Sequence, residues 1–274
     1  STVMGSMRWL DRPHMPAGND SYTYMVENSQ GDFAVMVGHY VNGVTHPFEV
    51  WINGAEAPRG LGAVAKTLSA DMRTYDRGWL ELKLQALRKC SGETVEVAMP
   101  PTGQIQMVPS VVSAFAQIVH YHAEKIGWLN SEGDTSLVDA MMFRKEPKAG
   151  PEGTLSWTVD VMNPSTGDDF VMFVKELEMP DGSRRPYSVW LAGEYPKSFD
   201  GLCKLLSIDM RVLDPAWIGM KLRKLLSYKE PQGDFLARVP GSDKQASYSS
   251  SIAYMAHLLL HRFQRLGIIG AEGS

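Results

Sequence analysis

Short runs of apolar residues separated by turn residues open the chain and recur after its midpoint. FAVMVGHY (33–40) and PFEVWIN (47–53) are rich in β-branched and aromatic residues, and Asn42-Gly43 lies between them. Because Asn-Gly is a preferred two-residue turn, this pattern predicts a β-hairpin. Further strands are predicted around YTYMVEN (22–28), TLSWTVDVM (154–162), VMFVKELEM (171–179) and PYSVWLA (186–192), with Asp181-Gly182 as the turn of a second hairpin.

Apolar residues at helical spacing follow each group of strands. Phe199, Leu202, Leu206 and Met210 are three or four residues apart, as on one face of a helix. The same spacing occurs earlier in the chain at Val64, Leu68 and Met72.

A second helix is predicted directly after each of these. Asp214-Pro215 is a strong start signal, with Asp as the N-cap and Pro at the first helical position, and Asp76 is the matching cap. Last helices are predicted at about 110–126 and 248–266. The order β-β-β-α-α-(loop or strand)-α indicates an α+β domain with helices on one face of a small antiparallel sheet.

The chain contains an internal duplication. LSADMRTYDRGWLELKL (68–84) and LSIDMRVLDPAWIGMKL (206–222) are identical at nine of seventeen positions without a gap. Self-similarity of this kind predicts two tandem copies of one domain, which we expect to be related by a pseudo-two-fold axis. The predicted boundaries are 7–128 for the first copy, 129–153 for a linker and 154–270 for the second copy. We expect the opening STVMGS to contribute nothing to the fold.

Composition narrows the classes of protein. The chain has 274 residues, 44% of them hydrophobic and 21% charged, which is a globular profile. A net charge of −4 does not indicate bulk attraction to nucleic acid or to an anionic membrane. Cys90 and Cys203 belong to no C-x-x-C pair, so two isolated thiols suggest a reducing cytoplasm. No apolar run approaches the length of a membrane span, and no signal peptide is visible.

The repeated polar residues are the candidate binding site. Asp and Arg of the repeated hexamer cannot pair with each other, because residues two apart on a helix point in different directions. One interpretation gives the Asp and Arg structural contacts to neighbouring elements. The other makes the arginines anion ligands. The repeated lysine four residues after a Trp either covers that ring with its stem or lies on a solvated face. The candidates are Asp71, Arg73, Lys83, Asp209, Arg211 and Lys221.

Other motifs give no catalytic or metal assignment. Trp51, Trp79, Trp190 and Trp217 are predicted to be core residues. His257 and His261 have metal-ligand spacing on the last helix, but no further ligand completes a motif, so we predict no metal. No nucleophile–base pair or paired carboxylates stand out, and we predict no catalytic residue.

Several segments resemble the TSCPD-type C-terminal accessory region of adenosylcobalamin-dependent ribonucleotide reductases. That family typically shows a Gly-x-Thr-Tyr entry, an Arg-Pro-Phe-Glu strand, a helix ending in arginine and a Val-Pro-Ser helix start. The similar residues here are Arg12-Pro13, Gly18 and Tyr22, Pro47-Phe48-Glu49 and Arg185-Pro186-Tyr187, and Val108-Pro109-Ser110 with Ser249-Ser250 in the second copy. The Thr-Ser-Cys-Pro-Asp string itself is absent, as are the family's cysteine-rich tail and catalytic barrel.

The resemblance implies a non-catalytic accessory domain or split subunit of such a reductase, and so a link to deoxynucleotide synthesis and DNA replication. It implies that this chain binds no cofactor and that adenosylcobalamin is held by a partner, the catalytic subunit. The first alternative is a free-standing interaction or regulatory protein, for instance a viral one. The second is a nucleotide- or single-stranded-nucleic-acid-binding protein that uses the helix face of Lys221, Arg223, Lys224 and Lys229. We further expect the two copies to pack symmetrically, with Arg73 and Arg211 near the groove between them.

Overall fold

The computed structural model describes residues 3–270. The fold is α+β, with several small antiparallel sheets and seven α-helices among the described residues. Internal contacts divide the chain into two units. Unit 1 comprises Ser1–Asp139 with Lys197–Leu205, and unit 2 comprises Ala140–Pro196 with Leu206–Ser274. The described part of the chain contains no helix with the length and apolar character needed to cross a bilayer.

Unit 1 begins with a three-stranded antiparallel sheet in the order β1-β2-β3. Two helices, a hairpin and two further helices follow it. The elements are β1 (Asp20–Val26), β2 (Phe33–Asn42), β3 (Val44–Asn53), α1 (Leu61–Met72), α2 (Arg77–Arg88), β4 (Val95–Met99), β5 (Gln104–Val108), α3 (Val111–Lys125) and α4 (Ser136–Asp139).

Unit 2 has a second three-stranded antiparallel sheet, in the order β6-β7-β8. Its elements are β6 (Ser156–Asn163), β7 (Asp168–Glu178), β8 (Arg184–Glu194), α5 (Ser198–Met210), α6 (Pro215–Leu225), β9 (Phe235–Arg238), β10 (Gln245–Tyr248) and α7 (Ser251–Arg265). The division into units falls within α5, whose first half is counted with unit 1.

The predicted helix starts are confirmed. The side chain of Asp76 accepts a hydrogen bond from the Trp79 amide, and that of Asp214 accepts from the Ala216 amide, with Pro215 at the first position of α6. Ser110 and Ser250 cap α3 and α7 in the same manner. Each cap supplies an acceptor to an amide that has no partner within its own helix.

Each sheet has the same irregularity between its second and third strands. In unit 1 the pairing steps from Gly38↔Glu49 to His39↔Pro47, so Phe48 is skipped. In unit 2 it steps from Lys175↔Ser188 to Glu176↔Pro186, so Tyr187 is skipped. Such a β-bulge leaves one residue without its ladder partner and bends the strand.

A short segment before each sheet pairs with the chain that follows the first helix of its unit. Met7 forms a bridge with Thr74, and the Tyr75 amide donates to the Ser6 carbonyl. In unit 2 Met141 forms the matching bridge with Val212. The expectation that STVMGS stays outside the fold is wrong for its described residues. Met4–Ser6 form a turn of 3₁₀ helix with Ser6 buried, and the Ser6 carbonyl accepts a hydrogen bond from the Tyr75 amide just after α1.

The tryptophan predictions hold for one pair only. Trp79 and Trp217 are fully buried, as predicted. Trp51 and Trp190 are 52% and 42% exposed, so their assignment to the core is wrong. Side chains alternate between the two faces of a strand, and the neighbouring Val50 occupies the inner face of β3.

Candidate functional site

The repeated Asp and Lys form a buried cluster with the Trp in each unit. In unit 1 the Trp79 indole N–H donates to Asp71 Oδ1 at 2.8 Å, and Lys83 Nζ lies 3.4 Å from Asp71 Oδ2. Lys83 Nζ also lies 5.0 Å from the centroid of the Trp79 ring, within cation–π range. The solvated-face interpretation of Lys83 is therefore wrong, because its side chain is fully buried.

Unit 2 contains the same cluster. The Trp217 indole donates to Asp209 Oδ1 at 2.7 Å, and Lys221 Nζ lies 3.8 Å from Asp209 Oδ2. Lys221 Nζ is 5.5 Å from the Trp217 ring centroid. All three side chains are buried. A buried charge needs a partner of opposite charge or hydrogen bonds, so each cluster holds its two helices together.

The repeated arginines contact the β-bulges. Arg73 Nε donates to the Phe48 carbonyl at 3.0 Å, and Arg211 Nε donates to the Tyr187 carbonyl at 3.3 Å. Phe48 and Tyr187 are the residues that the strand pairing skips. Each arginine therefore donates a hydrogen bond to a carbonyl that the bulge removes from the strand ladder. Burial lowers the pKa of both guanidinium groups.

The repeated serine completes the explanation of the hexamer. The Val50 amide donates to Ser69 Oγ at 3.0 Å, and the Val189 amide donates to Ser207 Oγ at 3.0 Å. These bonds join the helix to the third strand of its sheet. LSADMR and LSIDMR therefore contribute the same contacts within their own units. All six candidate residues contact protein groups. The role of Arg73 and Arg211 as anion ligands stays a prediction.

Both cysteines are unsuited to thiolate chemistry at neutral pH. Cys90 and Cys203 are buried free thiols. Burial raises the pKa of Cys90 to about 11 and raises that of Cys203 further above its ordinary value. The thiolate is the nucleophilic form, so these two residues remain protonated and unreactive.

An open pocket in unit 2 is a candidate ligand site. It lies between β6, α7 and the β9–β10 hairpin and has a volume of about 390 Å³. That volume is within the range of roughly 300–1,000 Å³ typical of small-molecule sites. Its walls combine aromatic and aliphatic side chains with basic groups. They are formed by Trp157, Val159, Arg238, Val239, Pro240, Gly241, Tyr254, Leu258, His261, Arg262 and Arg265.

A buried ion pair holds one wall of this pocket. Arg262 Nη2 donates to both carboxylate oxygens of Glu176, at 2.6 and 3.1 Å, and Arg262 Nε donates to Oε1 at 3.2 Å. Glu176 is fully buried, whereas part of Arg262 is exposed. The Arg262 guanidinium carbon lies 5.2 Å from the Trp157 ring centroid. The ion pair thereby fixes a guanidinium against the Trp157 ring.

The rim of the pocket carries further basic groups. Arg238 is exposed and pairs with exposed Asp243 at 2.6 Å. Arg265 is exposed at the last position of α7. Tyr254 donates its hydroxyl to the Arg238 carbonyl at 2.7 Å, which joins the hairpin to the helix. A pocket with an aromatic wall and a basic rim suits a ligand that has a flat ring and a negative charge.

The same region of unit 1 contains neutral rings instead. His122 lies twelve residues after the cap Ser110, as Arg262 lies twelve after Ser250. Its ring centroid is 5.6 Å from that of His39, and the Tyr24 hydroxyl is 2.8 Å from His122 Nδ1. His39 Nδ1 and His122 Nε2 are buried and have no hydrogen-bond partner among the described residues.

Burial keeps these histidines neutral. It lowers the pKa of His122 to about 4 and also lowers that of His39, while His39 and Lys125 lower the His122 pKa further. Lys125 Nζ lies 4.4 Å from the Tyr22 ring centroid. Among the described residues no group of three or more His, Cys, Asp or Glu side chains could hold a metal ion.

Sequence reasoning missed Trp157, Glu176 and Arg262. One signal was available, because inward positions of β7 alternate as Phe170, Met172 and Val174, and Glu176 continues that series. A carboxylate at an inward position needs a partner, which predicts a buried cation nearby. The identity of that cation depends on how α7 crosses the sheet, and local patterns do not give it.

No known protein family, curated protein or solved structure matches this chain.

Proposed function

We propose that this chain is a non-catalytic binding protein that takes a small anionic ligand with a flat ring in the pocket of unit 2. One observation carries the proposal: the pocket has the Trp157 ring at one wall, fixed by the Glu176–Arg262 ion pair, and basic side chains at its rim. Stacking and cation–π contacts recognise the ring, and the arginines recognise the charge.

We also infer that the two units are duplicated copies of one β-β-β-α-α-α domain. Support comes from the hexamers, which make the same contacts in their own units, and from the bulges at matching places. A duplicated domain can keep its structural residues in both copies while one copy changes its surface. This accounts for a pocket built of residues that the first unit does not share.

The resemblance to the accessory region of adenosylcobalamin-dependent ribonucleotide reductases supplies the biological setting of the proposal. An accessory domain or split subunit of such a reductase would bind a nucleotide or another protein and leave the chemistry to its partner. The protonated thiols of Cys90 and Cys203 agree with that division of labour. The purified chain is expected neither to reduce ribonucleotides nor to bind adenosylcobalamin.

The alternative of a free-standing regulatory protein fits the same pocket. The nucleic-acid alternative is weakened, because Lys221 is fully buried and cannot contribute to a basic face. Arg223 and Lys229 of the predicted face are exposed, so the basic surface there is smaller than predicted. We therefore favour a small anion over a polymer.

The test is a binding survey by thermal shift and titration calorimetry. The ligands are small anions with aromatic rings, such as nucleotides, aromatic carboxylates and sulfonates, and each is compared with a neutral ring of the same shape. We expect at least one anion to bind with one-to-one stoichiometry and to lose at least tenfold in affinity in Trp157→Ala. Tyr22→Ala, at the matching position of β1, is the control and should bind as the unaltered chain does.

Two results would contradict the proposal. The first is that no ring-bearing anion binds at millimolar concentration. The second is that binding is unaffected by Trp157→Ala and by Arg262→Gln, while circular dichroism shows both variants folded. Measured turnover of a ribonucleotide by the purified chain would overturn the non-catalytic part.

A further inference from the structure

We propose that the ligand of the unit 2 pocket is a single nucleoside monophosphate, with its base against Trp157 and its phosphate at the rim beside Arg265. This inference rests on the proposed function and specifies the ligand of the same site. It follows from three properties of the pocket: the number of ring platforms, the balance of charge, and the walls that close it.

The pocket offers one platform for a base. Trp157 is its partly exposed aromatic wall, and the guanidinium of Arg262 already lies against that ring. A base that stacks here gains both an aromatic and a guanidinium neighbour. Proteins that bind single strands of nucleic acid present successive aromatic platforms along a basic groove. Of the two aromatic residues Trp157 and Tyr254 that line this pocket, Tyr254 is buried and Trp157 is partly exposed, which leaves one platform.

The charge at the rim matches one phosphate group. Glu176 neutralises Arg262, and Asp243 lies beside Arg238, so these two arginines bring little net positive charge. Arg265 and His261 also line the pocket, and neither takes part in these two ion pairs. A phosphate monoester carries a charge of about −1.5 to −2 at neutral pH, and the single positive charge of Arg265 offsets half of it or more. A triphosphate would bring more negative charge than the rim balances.

The remaining walls favour a compact ligand. Tyr254 and Leu258 are buried and present apolar surface from α7. Gly241 at the hairpin tip has φ +74°, and a Cβ atom placed there would lie 2.5 Å from His261 Nε2. The hairpin tip is therefore packed closely on α7. A volume of about 390 Å³ accommodates a base, a sugar and one phosphate.

The experiment is titration calorimetry of the full chain with five probes. They are a purine and a pyrimidine deoxynucleoside monophosphate, the nucleoside and the triphosphate of whichever monophosphate binds more tightly, and an oligothymidylate. We expect at least one monophosphate to bind one-to-one and at least tenfold tighter than its nucleoside. The triphosphate should bind no tighter than the monophosphate. The oligothymidylate should bind more weakly per site.

Variants separate the two halves of the ligand. Arg265→Gln should weaken monophosphate binding about tenfold and leave nucleoside binding unchanged, because it removes only the phosphate contact. Trp157→Ala should weaken both. Lys125→Gln, at the matching last position of α3, is the control and should change neither. Circular dichroism and the thermal midpoint establish that each variant is folded.

The outcomes distinguish the two proposals. If an aromatic carboxylate or sulfonate binds in a Trp157-dependent manner and no monophosphate does, the present inference is wrong and the proposed function stands. A triphosphate or an oligonucleotide that binds tenfold tighter than the monophosphate likewise overturns this inference alone. If no ring-bearing anion binds, both proposals are wrong.

Discussion

Glu176 and Arg262 in unit 2 hold the positions that His39 and His122 hold in unit 1. His39 lies six residues after Phe33, and Glu176 lies six after Phe170. Each is the first residue after the β-bulge in the second strand of its sheet. In unit 2 the two side chains form an ion pair at 2.6 Å. In unit 1 two neutral rings lie 5.6 Å apart. The same backbone positions thus support either a fixed charge or an uncharged ring pair.

The neighbouring positions differ in size. Tyr24 of β1 packs edge-on against Tyr121 and contacts His122, so unit 1 fills this region with rings. The matching position of β6 is Val159, which lines the open pocket of unit 2. A change from a large to a small side chain on an inward strand position opens a cavity. Val159 therefore leaves space beside Trp157 in unit 2, whereas Tyr24 and its neighbouring rings fill the corresponding space in unit 1.

The largest expected loss of stability comes from the buried Asp–Lys pair that both units contain. Asp71→Ala leaves Lys83 buried without its carboxylate, and Asp209→Ala does the same to Lys221. Each variant should lose on the order of 3–5 kcal/mol of unfolding free energy, measured by urea denaturation. Losses that differ strongly between the two units would contradict the equivalence of the clusters.

Exchange of the differing pairs tests that equivalence directly. His39→Glu or His122→Arg alone places an unpaired charge in the interior of unit 1 and should destabilise it strongly. The double variant should recover roughly 1–3 kcal/mol relative to the sum of the single changes, because the two new charges pair. Additive losses in the double-mutant cycle would mean that the two positions do not correspond to Glu176 and Arg262.

The helix caps are expected to differ in strength. Asp76 is buried and accepts hydrogen bonds from the amides of Trp79, Leu137 and Val138. Asp76→Ala should therefore cost about 2–3 kcal/mol, since it leaves several buried donors without an acceptor. Asp214 is partly exposed and accepts a hydrogen bond from the Ala216 amide at the start of α6, so Asp214→Ala should cost about 1 kcal/mol. Equal losses would show that α4 contributes nothing to the cap.

A dependence on pH is also expected, and it should be confined to unit 1. The pKa values of His46 and His122 are both lowered to about 4 by burial. The unfolded chain binds protons near pH 6.5, so the stabilisation is complete above that pH and is lost as the pH falls towards 4. Amide exchange at pH 7 and pH 5, corrected for intrinsic rates, should show a larger loss of protection in β2 than in β7. His122→Gln should reduce the difference.

Local sequence patterns predicted the elements well, because most of them depend on neighbours along the chain. The Asn42-Gly43 turn, the Asp76 and Asp214 caps and the core stripe of α5 are all set within a few residues. The exposure of Trp51 and Trp190 could not be obtained in this way. Both faces of β3 and β8 carry apolar residues, so the inner face depends on which side the helices cover.

The candidate site was predicted less well for a similar reason. Asp71, Arg73 and Lys83 are repeated in the second half, which identified them as candidates. In the structure Asp71 and Lys83 belong to a buried cluster, and Arg73 donates to the carbonyl at a β-bulge. The pocket depends on Trp157 and Arg262, which are not repeated. Only the fold brings β6 and α7 together, so no spacing along the chain connects them.

The hydrogen bond from each repeated arginine to a bulge carbonyl affects what mutational scanning of this protein would find. A library that covers every position and selects for folded chains should show Arg73 and Arg211 as intolerant, even to lysine, because lysine has no Nε–H to donate to Phe48 or Tyr187. Trp157 and Arg265 should tolerate many substitutions in the same selection. A map of tolerance alone would therefore mark the two hexamers and pass over the pocket, and only a screen for ligand binding would reverse the ranking.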